Sequence, residues 1–275
     1  MDVSIAAPPA VRIKRNRGAS RRNTLIGVFG ALAAIALLEA LPFIAGIKPE
    51  FLPPFHVMVG SLVQQAGTSE FWGMLGSTLF GWGLGLAISL VAGTVLGVII
   101  GMVPILRKGT ASTIEFLRPI PSVALIPLAV LLYGTTLQST LILVVYAGFW
   151  QVLIQVLYGV QDVDPVAQDT ARSFRFSVAR RVRTVVWPTI LPYVLTGFRL
   201  AATVCLVLEV TGELIIGSPG IGKQILNAQN GGNNPIIFSL VLLTGFLGVL
   251  VNLGAGRLQS VLLRWHPSVR AETAA

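Results

Sequence analysis

The sequence predicts an all-α membrane protein built on six transmembrane helices. Three observations predict it: only 11% of residues are charged, mean hydropathy is +0.79, and six separate apolar runs punctuate the chain. Soluble domains carry about 25% charged residues, so this chain lacks the polar surface that a soluble fold of its size needs. Each run reaches the roughly 20 residues that cross a bilayer. Lipid offers free backbone groups no partner, so each run is most simply a helix.

The runs cover residues 24–47, 73–103, 114–133, 137–160, 193–217 and 235–263. The first exceeds the roughly 7–15 apolar residues of a signal-peptide core, and no clear A-x-A site follows, which favours a retained helix. The second carries Gly93, Gly97 and Gly101 at four-residue spacing, a smooth stripe where another helix can approach closely. Packing is the simpler reading of that stripe, ahead of any ligand site.

Lysine and arginine placement orients the spans. With a cytoplasmic N-terminus, the inner side holds Arg12, Lys14, Arg15, Arg17, Arg21, Arg22, Arg107, Lys108, Arg172, Arg175, Arg180, Arg181, Arg183, Arg264 and Arg270. Arg118, Arg199 and Arg257 lie within a few turns of the same face, and only Lys48 and Lys223 stay outside. Both termini are then cytoplasmic, and the formal charge of +9 is a topological signal. A nucleic-acid binder needs its cations on a folded soluble face, which these runs do not leave. A lone Cys205 inside an apolar run rules out an intrachain disulfide, and with two histidines, His56 and His266, no metal site or cofactor is expected.

Gly217 to Lys223 reads GSPGIGK and fits the GxxxxGK phosphate loop. Its context argues otherwise. Gln224 stands where the magnesium-holding Ser/Thr belongs, the preceding run is a span and not a strand, and the segment falls on the outer face. A glycine-rich turn after a helix C-terminus is expected instead.

The longest internal cytoplasmic segment lies between the fourth and fifth spans. Asp162, Asp164 and Pro165 form a helix start, and residues 166–174 can make a short helix. Ser177 can cap a second helix running to Val186, which Trp187-Pro188 should end. Phe174 and Phe176 sit at the bend of an otherwise polar loop, placed to fill a partner's pocket. Arg180, Arg181 and Arg183 read as positive-inside bias and contact with anionic headgroups.

Residues 159–201, GVQDVDPVAQDTARSFRFSVARRVRTVVWPTILPYVLTGFRLA, resemble the EAA loop of binding-protein-dependent ABC importer permeases. Asp169, Thr170 and Ala171 stand at the EAA positions, and Pro188, Pro192, Gly197 and Arg199 match the return into the membrane. LRPIPSVALIPLAVLLYG from Leu117 and GELIIGSPGIG from Gly212 resemble the nitrate/sulfonate/taurine branch. Arg175 occupies the position where the family prefers glycine, whose left-handed backbone angles cost a Cβ-bearing residue on the order of 1 kcal/mol.

The resemblance implies a type I ABC importer permease in the bacterial inner membrane. It implies a basic cytoplasmic tail over residues 1–23, a transmembrane domain over 24–264 with its coupling loop at 161–192, and a cytoplasmic tail over 265–275. It further implies a permease homodimer docked on a cytoplasmic ABC ATPase dimer, with a solute-binding protein opposite. Hydrolysis then belongs to the partner, and the chain itself is not an enzyme. Asp169, Thr170, Ala171, Phe174, Arg175 and Phe176 are the expected coupling residues. Residues 48–72 and 218–234 are the outer segments open to the binding protein.

The rival class is an ion- or proton-coupled secondary transporter. Glu209 and Glu213 lie four apart on one face of the fifth span and Glu39 lies in the first, and embedded acids are costly and often functional. Glu213 matches an acidic position of the ABC family, whereas Glu209 has no evident role. No inverted repeat of the secondary-transporter kind stands out. A membrane enzyme would need clustered nucleophile, base or metal ligands, which the chain does not offer.

Overall fold

The structure, a computed structural model, describes residues 17–264, and every regular element among them is helical. In chain order these are α1 Arg17–Ile44, α2 Phe55–Ala66, α3 Ser69–Met102, α4 Pro104–Leu117, α5 Ile126–Tyr133 and α6 Leu137–Gln161. After them come α7 Pro165–Ser173, α8 Val178–Arg181, α9 Trp187–Ile216, α10 Ile221–Asn230 and α11 Asn234–Leu262. Arg12, Lys14, Arg15, Arg270 and the expected tail 265–275 lie outside the described residues. Five helical stretches are long and apolar enough to cross a membrane, and a sixth crossing exists if α4 and the α5 segment form one broken span.

That broken span corrects the sequence expectation of one helix over 114–133. α4 ends at Leu117, a 3-10 turn occupies Ser122–Leu125, and the two halves meet at 83°. Pro119 and Pro121 remove two N–H donors within three residues, so the helical ladder cannot run through. Tyr146 closes one freed acceptor: its hydroxyl donates to the Leu117 carbonyl at 2.5 Å.

A second correction concerns Trp187-Pro188, which does not stop the loop's second helix. α8 passes through five residues of π-helix, Val182–Val186, directly into α9. The widened turn lies just ahead of Pro188 and accommodates, inside one continuous run, a residue that has no N–H to give to the ladder. The fifth span therefore continues a helical run that begins at Val178.

The core is three helices deep. Leu86 of α3, Val144, Val152 and Val156 of α6, and Ala202 and Cys205 of α9 are buried together. The stripe of small residues on α3 is longer than expected: Gly81, Gly85, Ser89, Gly93, Gly97 and Gly101 are all buried. A Cβ on Gly93, Gly97 or Gly101 would stand 2.8 Å from the Cβ of Val152, Val156 or Val160 respectively, so α3 and α6 touch nearly backbone to backbone. Small residues permit such contact where lipid supplies no hydrophobic drive.

A second apolar cluster joins Phe71 of α3, Leu206 of α9, Ile221 of α10 and Leu240, Leu243 and Leu247 of α11. It fixes α10 at the end of the bundle opposite α7. These are called the α10 end and the α7 end below. α1 stands against α2, where Glu39 accepts from the His56 backbone N–H at 3.1 Å and meets its ring Nδ1 at 2.7 Å. Ile26, Phe29 and Leu32 on α1 are more than half exposed, as a lipid-facing helix requires.

Candidate functional site

At the α7 end, the loop is a capped helix, a bend and a second capped helix. Asp164 accepts from the Val166 N–H at 2.8 Å and Ser177 from the Arg180 N–H at 3.3 Å, so each helix start satisfies an otherwise orphan donor. α7 ends in a two-bond Schellman turn: Arg175 N–H donates to the Arg172 carbonyl at 2.8 Å, and Phe176 N–H to the Ala171 carbonyl at 3.0 Å. The turn requires a left-handed residue at Arg175, whose φ is +54°. Among the described residues it is the one non-glycine with positive φ. The departure from glycine noted in the sequence thus leaves the bend geometry intact, with the strain retained.

Around that bend the expected coupling residues separate. Asp169 is exposed and pairs with Arg172 at 3.3 Å, Thr170 bonds back to the Val166 carbonyl at 2.8 Å, and Ala171 is buried. Phe174 is 73% exposed. Phe176 is not free in the same way: it is half-buried, and the Arg180 guanidinium lies 4.1 Å from its ring centroid. Sequence reasoning treated Arg180 as a topology marker and missed this contact. Its signal was the four-residue spacing from Phe176 across the Ser177 cap.

The return into the bundle is tightly held. Val163 and Val186 are buried at the loop's two ends, and the Tyr193 hydroxyl donates to Asp162 at 2.9 Å. A Cβ on Gly197 would stand 3.1 Å from the Val152 Cα, so glycine lets α9 cross α6 closely there. Arg199 donates from Nε to Asn252 of α11 at 3.1 Å. Pro192 is inside α9, beyond Pro188.

At the α10 end, Glu213 is fully buried and organises the GSPGIGK turn. It accepts from Thr78 of α3 at 2.7 Å and from the Gly222 N–H at 2.8 Å, while Thr78 in turn accepts from the Ile221 N–H at 2.9 Å. A carboxylate at the start of α10 satisfies its orphan donors and suits the helix dipole. The Ile221 and Gly222 amides, which a phosphate loop would offer to a nucleotide, are therefore already occupied. Gly217 takes the left-handed cap position at φ +84°, and Gly222 packs so closely that a Cβ would collide with the Val210 carbonyl oxygen.

Glu209, one turn earlier, is 1% exposed, and its Oε2 has no hydrogen-bond partner among the described residues. It packs on Gly81 of α3, where a Cβ would run into the carboxylate. The two outer segments meet beside this end. The Asn234 amide donates to the Glu50 carbonyl at 2.6 Å, and Gln224 bonds Glu70. They share a hollow of about 410 Å³ lined by Gln65, Glu70, Gln224, Asn227 and Asn233.

Comparison with known proteins places this arrangement. Residues 93–265 match the family described as binding-protein-dependent transport system inner membrane component. The chain is 30% identical to the taurine transport system permease protein TauC of Escherichia coli over 265 residues, covering 94% of this chain and 96% of that one. It is 24% identical to the nitrate import permease protein NrtB of Leptolyngbya laminosa, over 75% and 74% of the two chains. A solved chain of the inward-facing MetNI methionine ABC transporter superposes with a TM-score of 0.58 at 16% identity, covering 70% of this chain and 98% of that one. The family match over most of the chain, the helical bundle and its apolar spans agree: the chain belongs to the inner membrane permease components of binding-protein-dependent transport systems.

Proposed function

We propose that the chain is the translocating subunit of an ATP-driven importer for small oxyanions or their zwitterionic relatives, working as a dimer on a cytoplasmic ATPase pair. The observation that carries this reading is the α7 element: a capped helix ending in a strained Schellman turn, with Phe174 exposed at its tip. An exposed aromatic on a rigid, polar protrusion is the form of an interface anchor. Arg107, Lys108, Arg172, Arg175, Arg180, Arg181, Arg183 and Arg264 gather toward the α7 end, which supports a cytoplasmic position for it. Lys48 and Lys223 are the basic residues toward the α10 end. There the amide-lined hollow between the outer segments is the proposed contact for a solute-binding protein. The substrate class follows from relatives named for taurine, aliphatic sulfonates, nitrate and bicarbonate.

Phe174→Glu tests the docking. The variant should insert in the membrane at normal yield and lose co-purification of the ATPase. Normal capture of the ATPase by this variant would refute the docking role. The orphaned carboxylate of Glu209 is the observation on the side of proton-coupled transport. Solute flux driven by a proton gradient in vesicles lacking any ATPase would favour that reading.

A further inference from the structure

Arg118 is an embedded cation outside the docking loop and the bundle's polar contacts. Arg118 caps the C-terminus of α4 at the break of the third span, and no ion pair or side-chain hydrogen bond engages it among the described residues. Its depth follows from its neighbour: the Leu117 carbonyl is held by Tyr146, and Leu117 packs against the buried cluster around Trp150 on α6. Tyr146 lies fifteen residues from Gln161, roughly 22 Å along the helix at 1.5 Å per residue. Tyr146 is also nine residues from Leu137, so the Leu117 end of α4 lies beside the middle of α6 and inside a hydrocarbon core of about 30 Å. A cation at that depth is costly and marks a solute or ion pathway by default.

The break also opens space. Ile114 and Leu117 of α4 pack against the α6 cluster around Trp150, yet no residue of α4 is buried. Between the two helices lies a cavity of about 530 Å³. Arg107, Glu115 and Arg118 line it from α4, and Ile154, Leu157 and Tyr158 from α6. Arg107 and Arg118 are eleven residues apart, about 16 Å along α4, so they mark the mouth and the depth of one cleft and not a single two-pronged site. The α6 wall gives an apolar surface for the body of a small organic anion, and the guanidinium fork suits sulfonate, carboxylate or nitrate oxygens.

We propose that this cleft is a solute site of the permease itself, with Arg118 binding the oxyanion group of the transported molecule and Arg107 drawing it toward the α7 end. The proposal rests on the importer reading above and adds to it a place where the membrane subunit contacts the substrate. Phospholipid phosphate shares the chemistry but sits at the membrane surface, too far from Arg118 to be its natural occupant. Glu115 opposes an anion in the same cleft and so provides a control of opposite sign.

The test is equilibrium binding of ethanesulfonate to the full-length permease in phosphatidylcholine nanodiscs, followed by calorimetry. Wild type should bind saturably. Arg118→Gln should weaken binding at least about tenfold, the scale of one lost charged hydrogen bond. Arg118→Lys should fall between, because it keeps the charge and loses the fork. Arg107→Gln should weaken binding less, and Glu115→Gln should tighten it. No saturable binding by wild type, or affinity unchanged in Arg118→Gln and Arg118→Lys, overturns the proposal. Loss of ethanesulfonate binding when phosphatidylglycerol replaces phosphatidylcholine also overturns it, since a headgroup is then the occupant. Failure here with ATPase capture intact removes the site and leaves the importer reading standing.

Discussion

Arg175→Gly separates backbone strain from side-chain chemistry at the bend that follows α7. A residue with a Cβ at φ +54° costs on the order of 1 kcal/mol relative to glycine. Little is lost in exchange, because the Arg175 side chain makes no hydrogen bond or ion pair among the described residues. The two Schellman bonds are main-chain and survive the change. Relief of about 1 kcal/mol corresponds to a roughly fivefold smaller population of the open turn. Hydrogen exchange on the Arg175 and Phe176 amides reads that population directly. Protection should rise about fivefold in Arg175→Gly and stay near wild type in Arg175→Ala, which removes the charge but keeps the Cβ. Equal protection in all three proteins would show that the turn stores no strain. A gain in Arg175→Ala matching that of glycine would assign the effect to the guanidinium instead.

Two further substitutions probe the bundle. Gly97→Ala forces a Cβ to within 2.8 Å of Val156, so overpacking of about 1–3 kcal/mol outweighs a helix-propensity gain of about 1 kcal/mol. Gly83→Ala, on the same helix with nothing within 4 Å, keeps only the gain, so the two unfolding midpoints in bicelles should shift in opposite directions. Glu213→Gln leaves either Thr78 or the Gly222 amide facing an N–H, at a cost of about 1–3 kcal/mol for a buried unsatisfied donor. Tryptic cleavage after Lys223 should accelerate in this variant, and an unchanged rate would show that the carboxylate does not hold the turn.

The parts of the fold legible in the sequence were those written in local spacing. Hydropathy located the spans, and the glycines at 93, 97 and 101 announced the α3–α6 contact through their period alone. The same period continues through Gly81, Gly85 and Ser89, so the signal was longer than the stretch read from it. Pro119 and Pro121 mark the broken span openly, although residues 114–133 have the length and the largely apolar character of a single crossing. Trp187-Pro188 misled in the opposite direction, because a π turn absorbs a proline that would end an ordinary helix. What stayed hidden depends on distant partners. Thr78 is 135 residues from Glu213, and nothing in either neighbourhood announces that one carboxylate caps α10. The place of Arg118 beside the middle of α6 depends likewise on Tyr146, 29 residues from Leu117.

These distant contacts bear on how the two ends of the molecule communicate. The helical run from Val178 to Ile216 spans roughly 58 Å at 1.5 Å per residue and joins the α7 loop to the turn that Glu213 holds. Its α10 half is held by close contacts: Gly222 against the Val210 carbonyl and Glu213 between two donors. The α7 half is built differently. A π segment, Pro188 and Pro192 interrupt the regular ladder within eleven residues, and such interruptions are where helices bend. On the proposed docking, a push on Phe174 would reach this jointed half first, while the α3–α6 seam and the α10 turn hold as one body. Bending should therefore concentrate between Val182 and Pro192, and the distance from α7 to α10 should change more than the distance from α3 to α6. Spin-label pairs across each of these two gaps, measured with and without the bound ATPase, would show whether the division holds. Equal changes across both gaps would mean that the bundle moves as a single piece and that the prolines serve only to pack.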